Sequence, residues 1–190
     1  MVGMPTATAS DLGRARRVLI HGATGSGKST AAARIGRILD LPVHLADEEI
    51  GFLPASQAVW TNRPAEEMRR IAGSIAAEER WVLDSSYGAF RDQVLSRADV
   101  VIGLDYPRWL SLARLFRRTA GRIRDGRLVC NGNRETLREQ LSRDSIIVWH
   151  FTSFARKRAT MRAWAADPAG PPTILVSGPA ELERLIAAIS

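Results

Sequence analysis

Residues 22–29 read GATGSGKS, and no other stretch of the chain narrows its possibilities as far. The apolar run RRVLI at 16–20 comes first and reads as a short buried strand. Behind the glycines, Ile35, Ile38 and Leu39 recur at helical spacing across 29–39. A strand that breaks into glycines and turns at once into a helix gives G-x-x-x-x-G-K-[ST] a physical meaning. Gly22, Gly25 and Gly27 carry no Cβ, so the backbone there is free to take positive φ and approach a ligand closely. Successive amides from Gly22 through Ala23, Thr24, Gly25, Ser26 and Gly27 to Lys28, Ser29 and Thr30 then form an anion-binding nest. The nest sits at a helix N-terminus, whose partial positive charge adds attraction. The pattern predicts a bound nucleoside triphosphate, with Lys28 reaching the β- and γ-phosphates and the Ser29 hydroxyl on Mg²⁺. ATP and Mg²⁺ are the expected cofactors.

The rest of the chain alternates strands with helices. PVHLA (42–46), RWVLD (80–84), DVVIGLD (99–105) and TILVS (173–177) read as further short strands. Helices are expected over 64–79 behind Pro64, from Pro107 onward, over 134–160 and over 180–189. The long third one is expected to be capped by Asn133, with Leu137, Leu141, Val148, Phe151 and Ala155 along its buried side. Trp81 and Trp149 are expected on core faces. Almost wholly apolar strands separated by helices predict an α/β fold whose parallel sheet is covered on both faces. The first 13 residues read as a flexible tail, and 14–190 as one domain.

Of 27 basic residues 25 are arginine, and the net charge is +7. Between Asp105 and Glu135 the only acid is Asp125, whereas Arg108, Arg114, Arg117, Arg118, Arg122, Arg124 and Arg127 crowd the interval. Such an imbalance fits a polyanionic partner or plain solvent. No run approaches the ~20 apolar residues of a membrane span. The single cysteine, Cys130, fits a reducing cytoplasm. His21, His44 and His150 are too dispersed for a metal site.

The segments LPVHLADEE, RWVLDSSYG, ADVVIGLDYPR, RLFRRTAGRIRDGR and NGNRE follow one another at telling spacings. Across about 16–165 the chain resembles the P-loop family described as DNA topology modulation or adenylate-kinase-like proteins, itself similar to nucleoside-monophosphate kinases. The resemblance implies a P-loop NTPase three-layer sandwich with a five-stranded parallel sheet. It also implies a phosphoryl-acceptor segment after the second strand and an Arg-rich lid over about 117–134. Arg117, Arg118 and Arg122 are then the cations for the transferring phosphate, with Arg118 also on the nucleotide and Arg124 and Arg134 as weaker candidates. Asp47 is implied to orient or deprotonate an acceptor hydroxyl, or to hold Mg²⁺ through water; a helix cap or a solvated acid is the plainer alternative. Arg63 reads equally as an acceptor ligand or a surface residue. Asp84 and Asp105 both end strands and compete for the metal, with Asp84 favoured because the resemblance puts its strand beside the P-loop strand. Related sequences read DGNY where this chain has DSSY at 84–87, a departure that touches the acceptor side.

The expected activity is therefore ATP- and Mg²⁺-dependent phosphoryl transfer to a small acceptor, a nucleoside monophosphate first among the candidates. A true base at Asp47 instead points to an alcohol. The rival is an ATP-binding regulator or DNA-associated protein without small-molecule kinase activity, although no helix-turn-helix or zinc finger is visible.

Overall fold

A computed structural model of the chain describes residues 7–136 and 145–190. Its centre is a parallel sheet of strands β1 (Arg17–Gly22), β2 (Val43–His44), β3 (Trp81–Leu83), β4 (Val100–Leu104) and β7 (Thr173–Val176), in the order β2-β3-β1-β4-β7. A small antiparallel pair, β5 (Leu128–Val129) and β6 (Asn133–Arg134), stands apart. Helices α1 (Ala9–Arg14), α2 (Lys28–Leu39), α3 (Ala65–Ala77), α4 (Arg91–Leu95), α5 (Arg108–Asp125), α6 (Ile146–Ala166) and α7 (Pro179–Ala187) complete the described chain, with a π-helical turn at Asp47–Gly51.

The side-chain alternation of a strand splits the core in two. Val18 and Ile20 of β1, Val82 of β3 and Val100, Ile102 and Leu104 of β4 face one way, onto Ile35 of α2 and Leu182, Leu185 and Ile186 of α7. Leu19, Trp81, Leu83 and Val101 face the other way, onto Met68, Ala72 and Ile75 of α3 and Val94 of α4. Both faces are packed with buried apolar side chains, which is why the strands read as continuous apolar runs. Because β1 has β3 on one side and β4 on the other, the chain reverses direction across the sheet beside β1. Ligands of open α/β sheets bind outside the carboxyl ends of strands at such a point.

Three expectations are corrected. Residues 8–13 are not a loose tail. Thr8 caps α1 through a reciprocal pair with Asp11, and Leu12 is wholly buried in the core. Asn133 caps no helix; it lies in β6, accepting from the Trp60 N–H and donating to the Cys130 carbonyl. The cap of α6 is Ser145, whose Oγ accepts from the Val148 N–H. Leu137 and Leu141 lie outside the described residues. The buried side of α6 is His150, Ser153, Phe154, Met161 and Ala165, while Val148, Trp149, Phe151 and Ala155 are exposed. Helix α5 runs on to Asp125 and is ended by Gly126 in the left-handed region.

Candidate active site

The P-loop leaves β1 at Gly22, paired with Leu104 of β4. Of its three glycines only Gly25 (φ 81°) and Gly27 (φ 95°) use the left-handed region. Gly22 serves packing instead: a Cβ there would stand 2.8 Å from Ser26 Oγ and 3.1 Å from the Leu104 carbonyl. Gly22 and Ala23 are buried behind the loop, whereas Thr24 through Thr30 line a cleft of about 1550 Å³. That volume exceeds what one small ligand needs and leaves room for a second molecule beside a nucleotide.

Two other elements brace the loop. His150 of α6 donates from Nδ1 to the Thr24 carbonyl at 2.9 Å, and burial lowers its pKa so that the ring stays neutral. Arg114 of α5 donates to the Ser26 carbonyl at 3.3 Å. Lys28 curls back to donate to the Ala23 carbonyl at 3.3 Å. Burial lowers its pKa, opposed by the carboxylates of Asp84 and Asp47.

Ser29 donates to Asp84 Oδ2 at 2.5 Å, and Asp84 Oδ1 accepts from the Ala46 N–H at 2.8 Å. Burial raises the pKa of Asp84, whose residue is 5% exposed, against the pull of these two hydrogen bonds and of Lys28. One hydroxyl and one carboxylate at the rim of a phosphate loop suit Mg²⁺, which binds one or two protein oxygens plus substrate phosphates and waters. Among the described residues no cluster of three or more metal-ligating side chains occurs. Asp105 is engaged elsewhere. It accepts from Arg158 at 2.6 Å and Arg162 at 2.8 Å, both on α6, and does not line the cleft.

The three consecutive acids of the π-helical turn diverge, each to its own partner. Asp47 lines the cleft and accepts from the Tyr87 hydroxyl at 2.5 Å. Burial and the Asp47 charge push the Tyr87 pKa upward, so the phenol remains a donor. Glu48 accepts from the backbone N–H groups of Cys130 (2.8 Å) and Asn131 (2.5 Å), both at positive φ in the β5–β6 turn. Glu49 accepts from the Leu45 N–H at 2.8 Å and contacts His44 Nδ1 at the same distance. Asp47 is thus not the cap of its turn, which is Ala46; it is an exposed acid in the cleft, tied to Tyr87.

Arg117, Arg118 and Arg122 all face the cleft. Arg122 is paired with the buried Glu135 at 2.9 Å. Arg124 pairs with its neighbour Asp125 at the surface, and neither it nor Arg134 lines the cleft. Arg63 lines the cleft with Nη1 held by Glu67 at 2.7 Å. Cys130 is half-buried and its thiol is pushed up to about 12 by burial and the charges of Asp47 and Glu48, which keeps it protonated. His21 is buried edge-on against Trp164, its pKa brought down to about 3 by burial and nearby cations.

Sequence reasoning assigned no role to Arg114, Tyr87, Glu48 or His150, nor to Arg91, Arg156 and Lys157, which also line the cleft. Two signals were present. Arg114, Arg118 and Arg122 fall at i, i+4, i+8, one stripe of a helix. The chain has only two lysines, and the second, Lys157, stands in the same cleft as the first.

The fold and this loop define the P-loop kinase fold: a five-stranded parallel sheet with helices on both sides. Among solved structures the chain is similar to shikimate kinase from Acinetobacter baumannii in complex with shikimate, at 14% identity over 94% of this chain and 93% of that one, TM-score 0.58. It is also similar to shikimate kinase from Aquifex aeolicus (18% identity, 91% and 92%, TM-score 0.51). A gluconokinase from Sinorhizobium meliloti 1021 is a further match (18%, 91% and 90%, TM-score 0.50). No family model matches the chain, and no curated protein matches it in sequence. The motif resemblance is therefore supported at the level of this kinase fold and no finer. Among the described residues no helix is long and apolar enough to cross a membrane.

Proposed function

We propose that the protein is a small-molecule kinase, passing the γ-phosphoryl group of Mg·ATP to a hydroxyl group of an acceptor. One observation carries this reading: the Asp47 carboxylate, fixed by Tyr87, shares the cleft with Lys28 and the Ser29–Asp84 pair. An acceptor phosphate presents an oxygen that is already ionised, whereas an alcohol must lose a proton as it attacks. A carboxylate held in place by a phenol supports the alcohol, and moves the preference away from nucleoside monophosphates. That neighbours of like fold are named kinases of shikimate and gluconate fits the same chemistry.

In this reading the P-loop amides and Lys28 hold the triphosphate. Ser29 and Asp84 are the residues that would hold Mg²⁺, which when bound offsets phosphate charge. Asp47 accepts the hydroxyl proton as the acceptor oxygen bonds to the γ-phosphorus. The bond from that phosphorus to the bridging oxygen breaks, and ADP departs with the electron pair. In this reading Arg117, Arg118 and Arg122, which line the same cleft, supply positive charge to the moving phosphoryl group.

The test is ADP release from Mg·ATP with sugars, other alcohols, nucleosides and nucleoside monophosphates as acceptors. An alcohol should stimulate release, and Asp47→Asn should lower kcat by about 100-fold or more while ATP affinity holds. Turnover of a nucleoside monophosphate alone, indifferent to Asp47→Asn, would refute the reading. The rival role as a nucleotide-dependent regulator predicts no acceptor-stimulated release at all.

A further inference from the structure

Beside the nucleotide loop, the cleft contains a second group of cations: Arg91 at the start of α4, and Arg156 and Lys157 on α6. Among the described residues none of the three is in an ion pair, unlike Arg63 and Arg122 of the same cleft, which are held by Glu67 and Glu135. Arg91 Nε is fully buried with no hydrogen-bond partner. Arg156 Cζ and Lys157 Nζ each lie 5.9 Å from the centre of the Trp149 ring, whose residue is 46% exposed. Arg156 is exposed, whereas Arg91 and Lys157 are half-buried; withdrawing cations from water without a counter-charge is costly, and the cost is recovered when a ligand brings the anion.

Resting on the kinase reading above, we propose that Arg91, Arg156 and Lys157 seat an anionic group of the acceptor, so that the acceptor is an alcohol that also carries a carboxylate or a phosphate. The planar guanidinium donors suit either oxyanion, and Trp149 offers its face to the acceptor's carbon skeleton. The seat reaches toward the reacting centre through Lys157. The charged groups acting on its ammonium are Lys28 of α2, Asp47 of the π-helical turn, Arg91 of α4 and Arg156 of its own helix. Its charge in turn acts on His21 of β1 and His150 of α6, both held neutral. Asp47, the one carboxylate in that set, already accepts from Tyr87. A hydroxyl at Asp47 and an anion at Lys157 would therefore belong to one small molecule. Burial, with Lys28 beside it, brings the Lys157 ammonium down to about 7. An anion placed on it favours the protonated form and raises that value. By linkage the seat binds best below pH 7 and loses affinity as pH rises above it.

The scarcity of lysine makes the test direct. Protein labelled with ¹³C at lysine Cε gives two signals, and Lys157→Met identifies which is which. With the P-loop saturated by a non-hydrolysable Mg·ATP analogue, the Lys157 signal is titrated with pH at constant ionic strength. The probes are acetate, inorganic phosphate and, as a neutral control, glycerol. Acetate or phosphate should raise the Lys157 midpoint by about one pH unit, equivalent to tenfold tighter binding of the anion by the protonated form. Whichever anion acts more strongly distinguishes a carboxylate from a phosphate acceptor. A midpoint that no anion moves, or that glycerol moves as far, overturns the seat. Because this readout needs no turnover, the two proposals fail separately. A moved midpoint with no acceptor phosphorylated rejects the kinase and keeps the seat; an unmoved one with an alcohol phosphorylated does the reverse.

Discussion

Replacing Asp84 by asparagine separates holding a metal from holding a fold. The carboxylate is buried, and burial raises its pKa above the ordinary 3.8 despite the hydrogen bonds from Ser29 and Ala46. A folded-state pKa above the unfolded one means the native state holds its proton to higher pH. Stability therefore falls as pH climbs from 3.8 through the raised value. Asparagine has the same shape: its Oδ1 still accepts from the Ala46 N–H, and its amide meets Ser29 in place of Oδ2. Removing the buried charge should stabilise the ligand-free protein by about 1 kcal/mol, or ~2–4 °C in Tm for a chain of this length. The acid side of the stability profile should flatten as well. The opposite effect is expected with nucleotide. At a Mg·ATP concentration 100 times Kd the native protein gains about 2.7 kcal/mol, and a tenfold loss of affinity on removing an anionic metal ligand cuts this to about 1.4 kcal/mol. Thermal unfolding with and without Mg·ATP reads both numbers. If the variant is less stable without ligand and keeps the full Mg·ATP shift, Asp84 is a structural brace and its assignment to the metal falls.

Tyr87→Phe removes the donor that fixes Asp47 but leaves the carboxylate in place. With an accepted alcohol, kcat should fall by about tenfold, the value of one hydrogen bond, while the KM for ATP stays constant; an unchanged kcat would show that the phenol orients nothing. Glu48→Gln leaves one backbone N–H of the β5–β6 turn without its carboxylate oxygen. Native-state hydrogen exchange at Cys130 and Asn131 should quicken by about tenfold or more with little change in global Tm. Unaltered protection there would mean that the hairpin is held by its other contacts, such as Asn131 to the Phe52 carbonyl.

Local chemistry carried much of the architecture into the sequence. Glycine and lysine spacing marked the P-loop between β1 and α2, because its backbone requirements are met by few other residues. Buried strands were visible as apolar runs, and Pro64 and Pro107 marked the residues just before α3 and α5. Whatever depends on which element lies beside which was less legible. Asp84 and Asp105 each follow an apolar strand, and only the sheet order and the two arginines of α6 distinguish them. Asp47, Glu48 and Glu49 are indistinguishable as a run of acids, yet a π-helical turn sends them to a phenol, a hairpin and a histidine. Helix α6 misled because it carries apolar side chains on nearly every side from Ile146 to Phe154, so periodicity alone did not select the buried face. Leu12 was passed over for want of a strong apolar period in a segment this short, although Thr8 and Asp11 form the cap that marks its helix.

The account depends most on the triphosphate lying in the loop from Gly22 to Thr30. Calorimetric titration with ATP in the presence of Mg²⁺ tests it directly, on the native chain and on a Lys28→Ala variant shown by circular dichroism to be folded. One nucleotide per chain should bind the native protein, with affinity weakened by about 100-fold or more when the ammonium is lost. Absence of binding at millimolar ATP, or equal affinity in the two proteins, would contradict it.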